Sequence, residues 1–234
     1  MQTATADTGN RILSRLSRAD LHLLMPHLSP VDLPLRKSLE VPNKPIDYVY
    51  FIERGFASIV ATGSGGDAIE VGLIGCEGVT GLAVIMGANR SPNATYMQLA
   101  GNGLRISAAN LRSAMEESAS LHKILLQYAY VFMVQTAQTA LANGRSKVED
   151  RLARWLLMAH DRVAKNDLPL THEFLGIMLG VRRSGVTVAL GVLERKGLIR
   201  AARGIITIVN RKALEKLAGS TYGVPESELK RLFS

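Results

Sequence analysis

Residues 171–209 read THEFLGIMLG VRRSGVTVAL GVLERKGLIR AARGIITIV, and this stretch predicts two short helices followed by a β-hairpin. Thr171 is a good N-cap for the first helix, and Glu173 places a negative charge in its first turn. Gly180 provides the turn after this helix. We expect the second helix to run from about Arg182 to Lys196.

The hairpin is predicted from two apolar runs on either side of a tight turn. Gly197 ends the second helix. Leu198–Arg200 and Ile205–Val209 then flank a turn centred on Arg203-Gly204. The order helix, turn, helix and hairpin is that of a winged helix-turn-helix, between about Leu168 and Val209.

The second helix has one apolar line and one polar face. Its apolar residues follow the spacing i, i+4, i+7: Val186, Leu190 and Leu193. Its start and opposite face carry basic and hydroxyl side chains: Arg182, Arg183, Ser184 and Thr187. A recognition helix enters the major groove with its N-terminal end, where an arginine fork matches the two acceptors of guanine. We predict these four residues as DNA contacts, together with Thr171, Arg200 and Arg203.

The distribution of charge supports a nucleic-acid partner for the C-terminal part of the chain. The 234 residues carry a net charge of +8. Residues 146–234 hold 16 of the 28 Lys and Arg residues but only 9 of the 20 acidic residues. A basic lobe is expected where a protein meets phosphate, although it is also compatible with plain solubility.

The composition excludes several classes of protein. Hydrophobic residues make up 47% of the chain, which is typical of a globular protein. No apolar run approaches the roughly 20 residues that cross a bilayer, so we expect no membrane partner and a cytoplasmic location. Residues 1–10 are polar and are predicted to be a disordered tail. The single cysteine, Cys76, excludes an internal disulfide and a four-cysteine metal site.

Residues 30–106 predict an antiparallel β-domain. Prolines and glycines separate short runs rich in β-branched and aromatic residues, such as Tyr48–Ile52, Ala57–Val60, Ile69–Ile74 and Thr95–Leu99. Short strands with glycine turns at about ten-residue spacing favour a sandwich or barrel. Before this region, Ile12 to Leu28 suggests short helices.

The next region is predicted to be helical and to contain a dimer seam. About Ala108 to Asn166 has no proline and a single glycine. Its residues at three-four spacing are predicted to face a second copy of the chain: Leu121, Ile124, Tyr128 and Val131. The alternative is that this line is buried within one subunit. The predicted domains are therefore 1–112, a β-roll with short N-terminal helices, 113–145, a dimerisation helix, and 146–234, the winged helix-turn-helix.

This α+β layout resembles the Crp/Fnr family of bacterial regulators, in the order β-roll, long helix, winged domain. The residues that carry the resemblance are Val148–Leu157, the run from Thr171 through Gly180-Val181-Arg182-Arg183 to Val186, and Asp47–Ile52 with Gly55. The resemblance implies a cyclic-nucleotide-binding-like jelly roll, a homodimer on a pseudo-palindromic DNA site, and contacts with RNA polymerase. It also implies that Arg183 occupies the place of the family's guanine-reading arginine.

The sequence departs from the family at the ligand loop and in the recognition helix. Cyclic-AMP-binding members have Gly-Glu-Leu in this loop, whereas this chain has Gly81-Leu82-Ala83. The acid that holds the ribose is absent, so we expect an effector, if any, other than cyclic AMP. The resemblance leaves these residues as candidate ligand contacts: Gly81, Arg90, Ser91 and Thr136. Ser184 and Val188 stand where many members have Glu and Arg. The DNA half-site that those members recognise is therefore not expected for this chain.

The two alternative functions are a β-roll enzyme and a protein-binding module. A β-roll enzyme of the cupin type holds its metal on barrel histidines. The chain has no histidine between Leu28 and Leu121, so we expect no metal, no cofactor and no catalysis. The remaining alternative is a ligand-sensing module that binds protein through its winged domain and does not bind DNA.

Overall fold

The computed structural model describes residues 8–163 and 165–233. The helices of this part of the chain are α1 (Arg18–Leu24), α2 (Leu82–Ile85), α3 (Ala108–Glu117), α4 (Ala119–Arg145), α5 (Val148–His160), α6 (His172–Leu179), α7 (Arg183–Arg195), α8 (Arg211–Ala218) and α9 (Val224–Phe233). The strands are β1 (Ser29–Leu33), β2 (Ser38–Glu40), β3 (Tyr48–Thr62), β4 (Ala68–Ile74), β5 (Ala94–Ser107), β6 (Asp167–Pro169), β7 (Ile199–Ala202) and β8 (Ile205–Ile208). Short 3₁₀ turns at Leu13–Arg15 and Met25–His27 flank α1, in agreement with the predicted short N-terminal helices.

The described residues divide into two compact units. One contains residues 8–59, 74–133 and 229–233, and the other contains Val60–Leu73 and Val134–Glu228. These units group residues by packing rather than by order along the chain. The three contiguous domains predicted from sequence therefore remain a prediction.

The first sheet has the strand order β1-β5-β3-β4, and β2 also pairs with β5. The pairings of β1 and β2 with β5 are antiparallel, as predicted. The strands β3 and β5 are longer than predicted, because each continues through glycine. Gly55 has φ +77° inside β3, and a Cβ there would collide with the backbone oxygen of Leu99. A Cβ at Gly101 would likewise collide with the backbone oxygen of Arg54. These glycines therefore permit close strand approach and do not form turns.

Residues 8–10 are ordered, contrary to the predicted N-terminal tail. Asn10 is fully buried, and its side-chain amide donates to the carbonyls of Ile52 and Gly78, both at 2.8 Å. The Oδ1 atom of Asn10 accepts from the backbone of Ile12 and Leu13. The tail prediction for residues 1–7 lies outside the described residues.

The predicted long helix is interrupted before α4. Ser118 separates α3 from α4, and its hydroxyl donates to the buried carboxylate of Asp20. Ser17 and Ser120 donate to the same carboxylate, at 2.7 and 2.9 Å. The α1 helix and the start of α4 are thereby fastened together, so the uninterrupted helix begins at Ala119.

The second sheet has the order β6-β8-β7. Its edge strand, Asp167–Pro169, is antiparallel to β8. Pro169 is tolerated there because β6 lies at the edge of the sheet, where a missing N–H interrupts no ladder. The α5 helix packs against α7 and α8 beside this sheet.

Candidate nucleic-acid interface

The helix-turn-helix is built from α6 and α7, with an angle of 99° between them. The Thr171 hydroxyl caps α6 by accepting from the backbone N–H of Phe174 at 3.3 Å. Gly180 ends α6 with φ +59°, which favours glycine. The N–H of Val181 then donates to the carbonyl of Gly176 at 2.9 Å. The cap and the turn lie where the sequence predicts them.

The α7 helix buries one side and exposes the other. Val186, Leu190 and Leu193 are at most 3% exposed, as their spacing predicts. The predicted reading residues are all exposed: Arg182, Arg183, Ser184 and Thr187. Within the described chain no side chain caps the N-terminus of α7, where Arg182 is the N-cap residue. The first N–H groups of α7 and two guanidinium groups therefore share one exposed edge, which suits an anionic partner.

His172 is a further residue of this edge that the sequence reasoning missed. Its Nδ1 lies 3.2 Å from the Thr187 hydroxyl, which also donates to the carbonyl of Arg183 at 3.1 Å. Because a hydroxyl has one hydrogen, both bonds form together only when Nδ1 of His172 is the donor. His172 thus positions Thr187 from the neighbouring helix. The signal available in the sequence was its place directly after the Thr171 cap.

The hairpin forms the predicted wing. Ala202 pairs with Ile205, which leaves Arg203-Gly204 as a two-residue turn with φ +49° and +77°. Positive φ at both positions is the geometry of a type I′ turn. The wing residues Arg200 and Arg203 are exposed, as is Thr171. The Glu194 carboxylate accepts from the backbone N–H of Ala201 at 2.7 Å, which ties the wing to α7.

The Val60–Leu73 part of the β3–β4 hairpin belongs to the same compact unit as the helix-turn-helix. A Cβ at Gly180 would lie 2.8 Å from the Cδ1 of Ile69. The next residue, Glu70, accepts a 2.6 Å hydrogen bond from the indole of Trp155. The Gln135 amide pairs with both backbone groups of Leu73, at 2.8 and 3.1 Å. Three positions of β4 therefore contact the helix-turn-helix turn, α5 and α4.

The comparisons with known proteins agree with this geometry. The model of the Crp-like helix-turn-helix domain matches residues 150–217. The transcriptional regulator SdrP of Thermus thermophilus is 26% identical over 182 residues, covering 75% of this chain and 86% of SdrP. The global nitrogen regulator of Synechocystis is 25% identical, covering 77% of this chain and 84% of its own length.

Solved structures share the fold along most of the chain. FixK2 from Bradyrhizobium japonicum superposes with a TM-score of 0.71 at 19% identity, covering 82% of this chain and 98% of FixK2. A Crp/Fnr regulator from Eubacterium rectale gives 0.70 at 20% identity, covering 88% of this chain and 96% of its own. Residues 150–217 form a Crp-like helix-turn-helix domain, and the chain is similar to Crp/Fnr transcription regulators over most of its length. The predicted family and the predicted fold class, a β-roll with a C-terminal winged helix-turn-helix, are confirmed.

The loop Gly81-Leu82-Ala83, which corresponds in sequence to the family's ligand loop, makes a hydrogen bond within the chain. The N–H of Gly81 donates at 2.8 Å to the buried carboxylate of Glu40. Burial raises the pKa of the Glu40 carboxyl, although the Gly81 hydrogen bond acts in the opposite direction. Arg90 is exposed and pairs through its backbone with Pro45, and the carbonyl of Ser91 accepts from Asn43. The fourth candidate ligand residue, Thr136, lies half-buried on α4.

The α4 helix corrects the predicted seam. Leu121, Tyr128 and Val131 are 0–4% exposed within a single chain, and Ile124 is half-buried. A side chain already covered by its own chain has little surface left for a partner, so the alternative of burial within one subunit describes this line. A different line of α4 is exposed in the single chain: Leu126, Tyr130, Met133, Ala137, Ala140 and Gly144. We call these six residues the α4 stripe.

The described residues show neither a metal-binding cluster nor a membrane-spanning helix. Among those residues, no group of three His, Cys, Asp or Glu side chains could hold a metal ion. No single described helix is long and apolar enough to span a membrane, and the one pair that passes such a test jointly, α6 with α7, is sharply bent.

Proposed function

We propose that this regulator binds DNA as a homodimer and reads a pseudo-palindromic site with α7. The observation that carries the proposal is the exposed edge formed by the uncapped N-terminus of α7 and its first polar residues: Arg182, Arg183, Ser184 and Thr187. A recognition helix presents this end to base edges in the major groove. The basic composition of residues 146–234 supplies the attraction to phosphate.

The roles of the side chains follow from their chemistry. Arg183 presents a guanidinium fork that fits the O6 and N7 acceptors of guanine. The Ser184 and Thr187 hydroxyls reach a phosphate or a base, and Thr171 flanks them at the start of α6. Arg200 and Arg203 stand on the wing, where they contact the DNA backbone or the minor groove. Phosphate contacts fix the register of the protein, and the base contact of Arg183 selects the sequence.

The α4 stripe is the proposed dimer seam. Its residues alternate steps of four and three, which is the a/d spacing of a coiled coil. Leu126, Tyr130 and Met133 are 43%, 42% and 61% exposed, which is unusual for large apolar side chains in a row along one helix. The small residues Ala137, Ala140 and Gly144 continue the stripe and allow close helix approach. A two-fold dimer places its recognition helices roughly 34 Å apart on DNA.

The β-roll is proposed to sense a small ligand other than cyclic AMP, with Gly81, Arg90, Ser91 and Thr136 as candidate contacts. The Gly81 N–H already donates to the Glu40 carboxylate. A negative charge on that carboxylate would repel a phosphate group bound beside it. RNA polymerase is the further partner that family membership implies, and the cytoplasm is the location in which such a regulator works.

Selection of bound duplexes from a random DNA pool tests the proposal directly. We expect an enriched site with two-fold symmetry, and binding that weakens steeply as salt rises. The selection is repeated with candidate nucleotides to reveal an effector. The Arg183→Lys variant is the matched control, because it keeps the charge and loses the fork. Failure to bind any sequence at low salt would favour the protein-binding module instead.

A further inference from the structure

The last turn of α9, residues 229–233, is part of the compact unit that also contains the first part of α4. The α9 helix lies beyond residue 217, where the match to the Crp-like helix-turn-helix domain ends. Phe233 is only 8% exposed, and the Arg15 guanidinium lies 6.0 Å from its ring centroid. This end of α9 is therefore anchored.

An open cleft of about 420 Å³ lies between this anchored turn and α4. Leu126 and Tyr130 of α4 line it on one side, and Arg231 and Leu232 of α9 line it on the other. Leu126 and Tyr130 are also the first two residues of the α4 stripe. The cleft is thus continuous with the proposed dimer seam.

We infer that this cleft receives α4 of a second copy of the chain, so that Leu232 and Arg231 belong to the dimer interface. The inference rests on the proposed homodimer and extends it to a segment outside the helix-turn-helix match. Paired helices lie about 8–10 Å apart, so a helix seated on Leu126 and Tyr130 also reaches residues that flank them. In a helix pair, each seam side chain inserts into a hole formed by four residues of the facing helix, and neighbouring side chains can extend such a hole. The cleft beside Leu126 offers such a hole, with Leu232 as its outer wall.

The dimer dissociation constant, measured by sedimentation equilibrium, tests the inference. The Leu232→Asp substitution should weaken the dimer by at least about tenfold, because it places a charge in a desolvated seam. The Ser227→Asp variant is the matched control, since Ser227 is exposed on the same helix and does not line the cleft. Its dissociation constant should stay within about twofold of wild type. Met133→Asp serves as the reference for loss of the seam itself.

A second measurement covers the case in which Leu232→Asp loosens the last turn. In a Cys76→Ser background, a Leu232→Cys variant is labelled with a maleimide below and above the dimer dissociation constant. We expect the labelling of Leu232→Cys to slow by about fivefold or more on dimerisation, because the side chain moves into a packed interface. The Ser227→Cys control should react at the same rate below and above the dissociation constant. Equally slow labelling in the Met133→Asp monomer would mean that the chain itself covers the cleft, and would overturn the inference.

These outcomes distinguish a failure of this inference from a failure of the proposed homodimer. A wild-type protein that stays monomeric contradicts the homodimer. A wild-type dimer that Met133→Asp dissociates, but in which Leu232 affects neither the dissociation constant nor the labelling rate, contradicts only the role of the last turn.

Discussion

The indole Nε1 of Trp155 donates a 2.6 Å hydrogen bond to the carboxylate of Glu70, and both side chains are buried. Glu70 lies in β4 and Trp155 in α5, so the bond fastens the hairpin tip to the helix that packs against α7. The same carboxylate acts on the buried guanidinium of Arg154, whose pKa is lowered to about 10 by burial, with Glu226 and Glu70 opposing that effect. Glu70 therefore acts on two neighbouring residues of α5, Trp155 and Arg154.

Replacing Glu70 by Ala should lower the free energy of unfolding by about 1–3 kcal/mol, because a buried donor loses this acceptor. Trp155 is the single tryptophan of the chain, so its fluorescence reports the change without interference. We expect altered emission in the folded protein and an earlier urea transition. Asp67→Ala, at an exposed position of the same hairpin, should leave both unchanged. A wild-type emission spectrum in Glu70→Ala would contradict the bond.

Replacing Arg183 by Ala should cost about 1–3 kcal/mol of binding to the selected site and relax the preference at one base pair in each half-site. The reason is the loss of the bidentate contact with guanine. Measured affinities for sites altered at single positions give the result. An unchanged preference and affinity would show that α7 enters the groove in another orientation.

Replacing Arg203 by Asn should weaken binding to all sequences alike and reduce the salt slope by about one. Asn is chosen because the residue has φ +49°, a conformation that Asn tolerates. The measurement is the affinity for specific and random DNA over a range of salt. A loss confined to one sequence would assign Arg203 to base reading instead.

Local signals in the sequence predicted the helix-turn-helix and its wing well. The Thr171 cap, the positive-φ turn at Arg203-Gly204 and the buried line that begins at Val186 each depend on a few neighbouring residues. The choice of dimer-seam residues on α4 had a different difficulty. The helix is apolar on more than one line, and the spacing of apolar residues does not show which surface covers each line. Gly55 was misread because a glycine that permits a close strand crossing looks in sequence like one that makes a turn. The contact of His172 with Thr187 joins two helices and has no signature at short range.

Met133→Asp should give a folded monomer, because Met133 is 61% exposed in the single chain and lies in the α4 stripe. Val131→Asp, two residues away but 4% exposed, should instead destabilise the fold by several kcal/mol, since it buries an unpaired charge. Sedimentation and circular dichroism distinguish the two effects. A Met133→Asp protein that remains dimeric would remove the stripe from the seam.

The Glu40 carboxyl predicts a dependence of stability on pH. Burial raises the pKa of this group in the folded chain, so the folded state holds its proton to higher pH than the unfolded state does. The contribution of Glu40 to stability is therefore present below the unfolded pKa and is lost as pH rises through the folded pKa. Glu40→Gln keeps an acceptor for the Gly81 N–H and has no proton to lose. The variant should raise Tm relative to wild type at pH 8 and change it less at pH 4. The same substitution at the exposed Glu116 is the control, and a difference in Tm that does not vary with pH would contradict the assignment.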